Sequence, residues 1–517
     1  DAQGIQKGIR SMRKGKILAG AGLALLSAAV LWGCQDRETI SPLENGEADE
    51  VCEIAIENLT LGAKYPDTEA VEELINEITV PAISCKVKIV NCFIGDHANM
   101  LKKAKMGIQR LDLVNTGTTT SLSDLAADGT LIELNDLLDK YGKNLQEKEG
   151  ELLKVTSLNG KVYAVCANLN PGRASGIGYN KDLAEKYHIE VPEQLELQDL
   201  TEIGRQLKEK NTGVYLISFG NAGNVDSSAF TSLFDVEDFG GDMNYGVIFN
   251  PLNSTEIVNA YASEEYRDFC RTIKLWRDEG YIPEDSLYSG VDAQSMFNEG
   301  EMFLQWTSVS TGTLHLVSKK SLDFDEVLVA MTPNRTTTSL VQEFTWGITS
   351  SCKNPEKAME LLNLIYTNSD LANLLQNGRE GTDYVKTGEK TIAYPEGKDN
   401  SSVGYSSYFT CYGDSDKVYQ FGENGTDWRD FMKNYSEDSE PSRTLGYVFQ
   451  TDQVAAEVDA VSRVVNEYRP VLETGMTEDA DKTLNQFLEA LDEAGMEKII
   501  EENRRQLGVW LKEQEKE

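Results

Sequence analysis

The sequence predicts an α/β protein built on parallel sheet, followed by a helical C-terminal region. Two observations carry this. Short strands alternate with amphipathic helical stretches over brief connections, the pattern of a parallel α/β sheet. From residue 454 onward, helical periodicity is almost unbroken, over 454–469, 480–494 and 497–512. A third observation, the length of 517 residues, allows two or three domains of roughly 100–200 residues each.

Taken in order, Glu53-Ile54-Ala55-Ile56-Glu57-Asn58-Leu59 alternates and reads as a strand. Asp67 is placed to cap a helix whose apolar face is Ala70, Val71, Leu74, Ile75 and Ile78. A second strand, Val87-Lys88-Ile89-Val90, leads to a helix over 99–106. The third strand, Leu111-Asp112-Leu113-Val114, runs into Asn115-Thr116-Gly117-Thr118 and a helix through Leu122, Leu125 and Ala126. A short amphipathic helix over 132–141 precedes the strand Val162-Tyr163-Ala164-Val165. Gly178-Tyr179-Asn180-Lys181-Asp182-Leu183 opens a new strand–helix run, with a helix over 197–209. Residues 218–253 are rich in Gly, Asn and Asp and read as loops with short strands. Residues 266–280 form a strong helix ending on Gly280, a suitable cap. Another helix, over 293–298, precedes the apolar strand Met302-Phe303-Leu304-Gln305-Trp306. Strands over 327–331 and 345–349 precede a helix that begins at Asn354-Pro355, with proline in its first turn.

The chain carries a net charge of -36. Such a surface repels phosphate, and no basic cluster offsets it, so nucleic acid is excluded as a partner. The cysteines are scattered and form no CxxC pair. Free thiols outside a membrane point to a low-oxygen habitat, with one pairing such as Cys85 with Cys92 left open. His97, His188 and His315 stand alone, without HExxH or HxH spacing, so no metal site or cofactor is expected. GxSxG and P-loop patterns are likewise missing.

The N-terminal stretch sets the compartment. Arg13, Lys14 and Lys16 precede an apolar run from Ile17 to Leu31, which closes on Trp32-Gly33-Cys34. About 15 apolar residues are short for a membrane span and suit a secretory signal. The cysteine after a small residue resembles the lipobox of bacterial lipoproteins, although Trp32 stands where that pattern prefers a small side chain. The resemblance implies that Cys34 receives diacylglycerol and becomes the mature N-terminus, with residues 1–34 as signal peptide and 35–50 as a polar tether. Two acyl chains hold a protein on a membrane where one does not. Residues 1–11, which precede Met12, are expected to lie outside the native product.

Further motifs extend the resemblance along the chain. They are Asp112-Leu113-Val114-Asn115-Thr116-Gly117, then Gly178-Tyr179-Asn180-Lys181-Asp182-Leu183-Ala184-Glu185-Lys186-Tyr187, then Trp276-Arg277-Asp278-Glu279-Gly280-Tyr281-Ile282-Pro283. Trp346-Gly347-Ile348-Thr349-Ser350-Ser351 runs into Lys353-Asn354-Pro355-Glu356-Lys357-Ala358, and Gln506-Leu507-Gly508-Val509-Trp510-Leu511 closes the chain. Together they resemble family 1 of the extracellular solute-binding proteins of ATP-driven importers, in its LipO-like lipoprotein subgroup. The resemblance implies a two-lobe, type II periplasmic-binding-protein-like fold, with lobe 1 over 51–168 and 310–375 and lobe 2 over 169–309 and 376–517. Crossings are then expected near Asn168, near 306–311 and near 373–379. It also implies a monomer, lipid-anchored on the extracellular face, that captures a carbohydrate between its lobes and passes it to ABC permease subunits.

Sugar recognition needs aromatic walls and placed polar groups. Trp306 and Trp346 lie at strand ends beside expected crossings, and Tyr179 opens the second lobe. Asn115, Thr116 and Thr118 follow a strand's carboxyl end, where open α/β sheets bind ligands. Glu343 and Arg379 are candidates for hydroxyl groups or a charged substituent. Each has a plainer reading. Trp306 serves core packing equally well, Trp346 favours the cleft, Asn115-Thr116-Gly117 suits a turn, and Arg379-Glu380 suits a solvated pair. Trp276 and Trp510 sit at helical core spacing. Two other classes remain open: a secreted glycoside hydrolase, whose carboxylate pair would stand about 5–10 Å apart, and a binding lipoprotein that partners a sensor.

Overall fold

The computed structural model describes residues 51–60, 65–167, 169–221, 224–225, 228–240, 242–284, 293–310, 324–407, 413–414, 417–421 and 434–516. The expected signal peptide with Cys34, the tether and Asn168 lie outside them.

From its first described strand the chain runs β1 (Cys52–Thr60), α1 (Thr68–Ile83), β2 (Cys85–Phe93), α2 (His97–Lys105), β3 (Leu113–Thr116) and α3 (Leu122–Ala127). Two short helices, α4 (Asn135–Tyr141) and α5 (Lys143–Glu149), lead to β4 (Ala164–Cys166). Next come β5 (Arg173–Asn180), α6 (Lys181–Tyr187), α7 (Leu197–Glu209) and α8 (Glu264–Asp278). The strands β6 (Leu304–Ser310), β7 (Glu326–Ala330) and β8 (Arg335–Thr336) precede α9 (Thr338–Gln342) and β9 (Thr345–Ile348). Helices α10 (Pro355–Ile365) and α11 (Ser369–Asn377) follow, then β10 (Glu440–Pro441). The end is α12 (Ala455–Glu473), α13 (Ala480–Ala494) and α14 (Met496–Gln514).

These elements form two principal sheets over two separate cores. The first sheet has the order β2-β1-β3-β9-β4. β1 and β2 pair in parallel along their whole length, from Cys52 opposite Cys85 to Thr60 opposite Phe93. β9 enters antiparallel between β3 and β4, with Trp346 opposite both Asn115 and Val165. Ile54, Ile56, Val71, Val87, Leu362 and Tyr366 fill the core beneath. Apolar burial of this kind stabilises by about 25 cal/mol for each Å² removed from water.

The second sheet, β6-β5-β8-β10 with β7 also on β5, is organised around β5. Its antiparallel partners β6 and β7 both pair along most of its length. Glycine is required inside this strand: a Cβ at Gly176 would stand 2.0 Å from the Val329 carbonyl oxygen. The C-terminal helices share this lobe's core with α8, through Phe269, Ile273, Val461, Leu484 and Phe487. Between them the Arg469 guanidinium donates to Glu473 at 2.7 Å, and the Tyr266 hydroxyl donates to the same carboxylate at 3.0 Å. A buried charge that is paired and hydrogen-bonded in this way avoids the full cost of leaving water.

The α/β class, the two lobes and the helical C-terminal region are all present, but the lobe boundaries differ from expectation. β7 and β8 belong to the second sheet, so the chain returns to the first lobe between Thr336 and Thr345 rather than near 306–311. After α11 the chain does not leave near 373–379. Tyr405 is buried in the first core, the Asn58 amide donates to the Ser406 carbonyl, and the Asn377 amide donates to the Tyr419 carbonyl. The final passage lies between Phe421 and Glu440, where β10 joins β8. Residues 324–336 therefore leave the expected lobe 1, and the described residues of 376–421 leave the expected lobe 2. Among the described residues, no helix is long and apolar enough to cross a membrane.

Candidate functional site

At the carboxyl end of β3 the first sheet opens onto a buried polar network. Glu57 on β1 and His97 at the start of α2 are both fully buried, 3.2 Å apart at Oε2 and Nε2. The other ring nitrogen of His97 stands 2.6 Å from the Thr119 hydroxyl. The Asn115 backbone N–H donates to the same Glu57 oxygen at 3.0 Å, which fixes the exit of β3. Beyond it, Gly117 turns the chain with φ of 88°, and a Cβ there would meet the Gln342 carbonyl oxygen at 1.8 Å. The Thr118 hydroxyl contacts the Asn115 side-chain oxygen and lies 3.1 Å from the Glu343 carbonyl. Glu343 forms an ion pair with Arg173, the first residue of β5, so this pair spans two passages between the lobes. Thr116 shares a hydroxyl contact with Thr345.

Asn115, Thr116, Thr118, Glu343 and Trp346 are thus brought together, though not as a set of exposed contacts. Asn115 and Thr116 are fully buried. Trp346 is 1% exposed and packed in the first core, so its ring offers no stacking face in this structure; the sequence reading that favoured the cleft gives way to the core. Tyr179 and Trp306 lie apart from that group, on the second sheet. The Tyr179 ring stacks on Phe303 at 6.0 Å, and Trp306, half-buried, lies tilted against Phe219 at 5.8 Å. Among the described residues, Arg379 pairs with neither Glu380 nor Glu343. It is held by Asp67, at the start of α1, and by Asp383 at 3.0 Å. Two buried donors, the Asn115 side-chain amide and the Trp306 indole N–H, have no hydrogen-bond partner among the described residues.

A cavity of about 80 Å³ opens between the lobes beside this network. Ser121, Ser123 and Asp124 come from the first lobe, Thr338 and Gln342 from α9, and Glu237, Phe239, Tyr245, Tyr447, Phe449 and Asp452 from the second. Phe239 meets Tyr447 edge-to-face at 5.6 Å, and Tyr245 meets Phe449 at 5.4 Å. Burial pushes the Glu237 carboxyl up to about 7, although the hydroxyls of Thr444 and Ser442 donate to it at 2.7 and 3.0 Å. These aromatics escape a sequence reading because they stand in loop-rich segments with no periodicity. The Glu57–His97 pair escapes for another reason: its members are 40 positions apart. Among the described residues, no group of three or more His, Cys, Asp or Glu side chains is placed to hold a metal ion.

Two α/β lobes, joined by repeated chain passages beside a polar and aromatic cavity, define a two-lobe binding protein of type II. The chain belongs to the bacterial extracellular solute-binding proteins, whose family model matches residues 109–371, more than half its length. A second model, described as a domain of unknown function, matches residues 443–512. The chain is similar to a carbohydrate ABC transporter substrate-binding protein of Streptococcus pneumoniae serotype 4, at 27% identity over 405 residues, covering 75% of this chain and 77% of the relative. Among solved structures it resembles the N-glycan transport solute binding protein NgtS of Streptococcus pneumoniae, at 23% identity. The TM-score is 0.77, covering 89% of this chain and 99% of that one. The same protein in complex with Man1GlcNAc gives a TM-score of 0.73, covering 89% and 100%.

Proposed function

We propose that this protein captures a carbohydrate, most simply an oligosaccharide, between its lobes and delivers it to an ABC permease from a lipid anchor at Cys34 on the outer face of the cell membrane. The observation that carries the reading is the interlobe cavity, where four aromatic rings stand among hydroxyl, amide and carboxyl groups. Flat apolar faces with a few placed polar groups are what a sugar ring requires. Tyr179, Trp306, Thr118 and Glu343 stand outside the lining of this cavity and are proposed as further contacts, with Thr116 shaping the loop beneath. Trp346 supports β3 from behind, and Arg379 anchors the start of α1. The chemistry is capture without turnover, by a single chain.

Closure of the lobes on a solute links binding to stability. A solute at 100 times its dissociation constant adds about 2.7 kcal/mol to the folded state. A thermal-shift screen over mono- and oligosaccharides, followed by calorimetry, tests the reading: one-to-one binding and chemically unchanged sugar are expected. Stabilisation by peptides but not by sugars would remove the carbohydrate assignment. Asp124, Glu237 and Asp452 around one cavity keep a glycoside hydrolase in view, and release of reducing ends in the same samples would establish it.

A further inference from the structure

Cys52 and Cys85 open the first two strands of the chain, and the parallel ladder sets them directly opposite one another. Paired residues on neighbouring strands lie about 4.7–4.9 Å apart and point to the same face. That spacing falls within the roughly 4.4–6.8 Å between Cα atoms that a disulfide bridges. We infer that Cys52 and Cys85 are a reversible disulfide site that fastens the start of β1 to the start of β2.

The alternative pairing left open by the sequence, Cys85 with Cys92, is excluded by geometry. Both lie on β2, seven positions apart, which an extended strand turns into about 23 Å. Cys92 instead stands opposite Leu59. Cys52 is half-buried while Cys85 is wholly buried. Burial, and then the neighbouring Cys52 sulfur, push the Cys85 thiol above the ordinary range. Cys52 is therefore the entry point and Cys85 the resolving thiol.

The oxidant class is a low-molecular-weight disulfide. The Cys52 thiolate attacks one of its sulfurs, expelling one thiolate and leaving a mixed disulfide on Cys52. Cys85 then loses its proton and attacks the Cys52 sulfur, expelling the second thiolate. Two protein thiols lose two protons and two electrons, and one small disulfide becomes two small thiols. The bridge would fall where the segment that precedes Cys52 joins the fold. A pull on that leading segment meets the Cys52–Cys85 pair before any other ladder pair.

The test uses the full chain, incubated folded with oxidised glutathione, alkylated, digested and mapped by mass spectrometry. One linked peptide joining Cys52 to Cys85 is expected, two hydrogens lighter than its parts, with dithiothreitol restoring both thiols. The oxidised chain should melt at a higher temperature than the reduced chain, and Cys52→Ser should abolish both the linked peptide and that difference. The wild-type peptide map stands even if the variant folds poorly. Recovery of Cys52 and Cys85 as separately alkylated or separately glutathionylated residues would overturn the inference, as would their linkage to other cysteines.

Discussion

Replacing Trp346 by alanine separates a buried support from a ligand platform. The ring is 1% exposed and touches the first core, with its strand wedged between β3 and β4. An aromatic side chain of this kind buries about 150–250 Å². At about 25 cal/mol per Å² that is worth ~4–6 kcal/mol, and measured aromatic-to-alanine changes in cores cost about 3–5 kcal/mol. Spread over a lobe-sized unit, the loss lowers the melting temperature by about 6–20 °C. Denaturant titration and calorimetry on Trp346→Ala, each with and without a sugar found in the screen, measure both quantities. A large fall in stability is expected, with affinity per folded molecule nearly kept. Lost affinity with an unchanged melting temperature would refute the core placement and return Trp346 to the cleft.

Glu149, at the end of α5, is 3% exposed beside Cys166, and burial pushes its carboxyl from 4.5 up to about 8. The folded state therefore holds a proton that the unfolded chain releases, so stability falls as pH rises from about 4.5 to about 8, by up to ~5 kcal/mol. Glu149→Gln should match the wild type below that window and gain on it above, read as urea midpoints that diverge with pH; parallel curves would contradict this. Gly117→Ala should cost more than the ~1–2 kcal/mol of a left-handed backbone alone, because the new Cβ meets the Gln342 carbonyl. Gly129→Ala, at φ of 75° with open space around it, should cost only the backbone term, and equal losses would discount the contact. Cys34→Ala should release the protein from membranes or leave it uncleaved, and unchanged detergent partitioning would remove the lipid anchor.

Local physics was legible in the sequence and long-range pairing was not. The helix over 480–494 is read to the residue, because Asp479 caps its start and Gly495 its end. Pro355 begins α10 and Gly280 follows α8, as their backbone preferences require. Trp276 is buried, as its helical spacing indicates. The crossings fail because a strand's own residues do not say which sheet it joins. β7 is an apolar run read as a strand, yet its pairing with β5, and then that of the two-residue β8 with β5 and β10, places it on the second sheet. Asp67 does begin α1, but its side chain engages Arg379 rather than the helix backbone, a contact across 312 positions. The cavity aromatics converge from segments around 240 and 450, and nothing local to either announces the meeting.

The position of β9 also dictates an order of assembly. Thr116 and Thr345 are hydrogen-bonded neighbours 229 positions apart, and among the described residues β9 alone joins β3 to β4 within its sheet. Until that strand has been synthesised, the N-terminal segment carries two unpaired strand edges, which invite pairing with other chains. Contacts this distant in sequence are slow to close. The sheet of the first lobe is therefore closed only by a strand that arrives after β5 to β8 of the second lobe have been made. A fragment ending before Thr345 should accordingly collapse and aggregate rather than fold as a smaller domain.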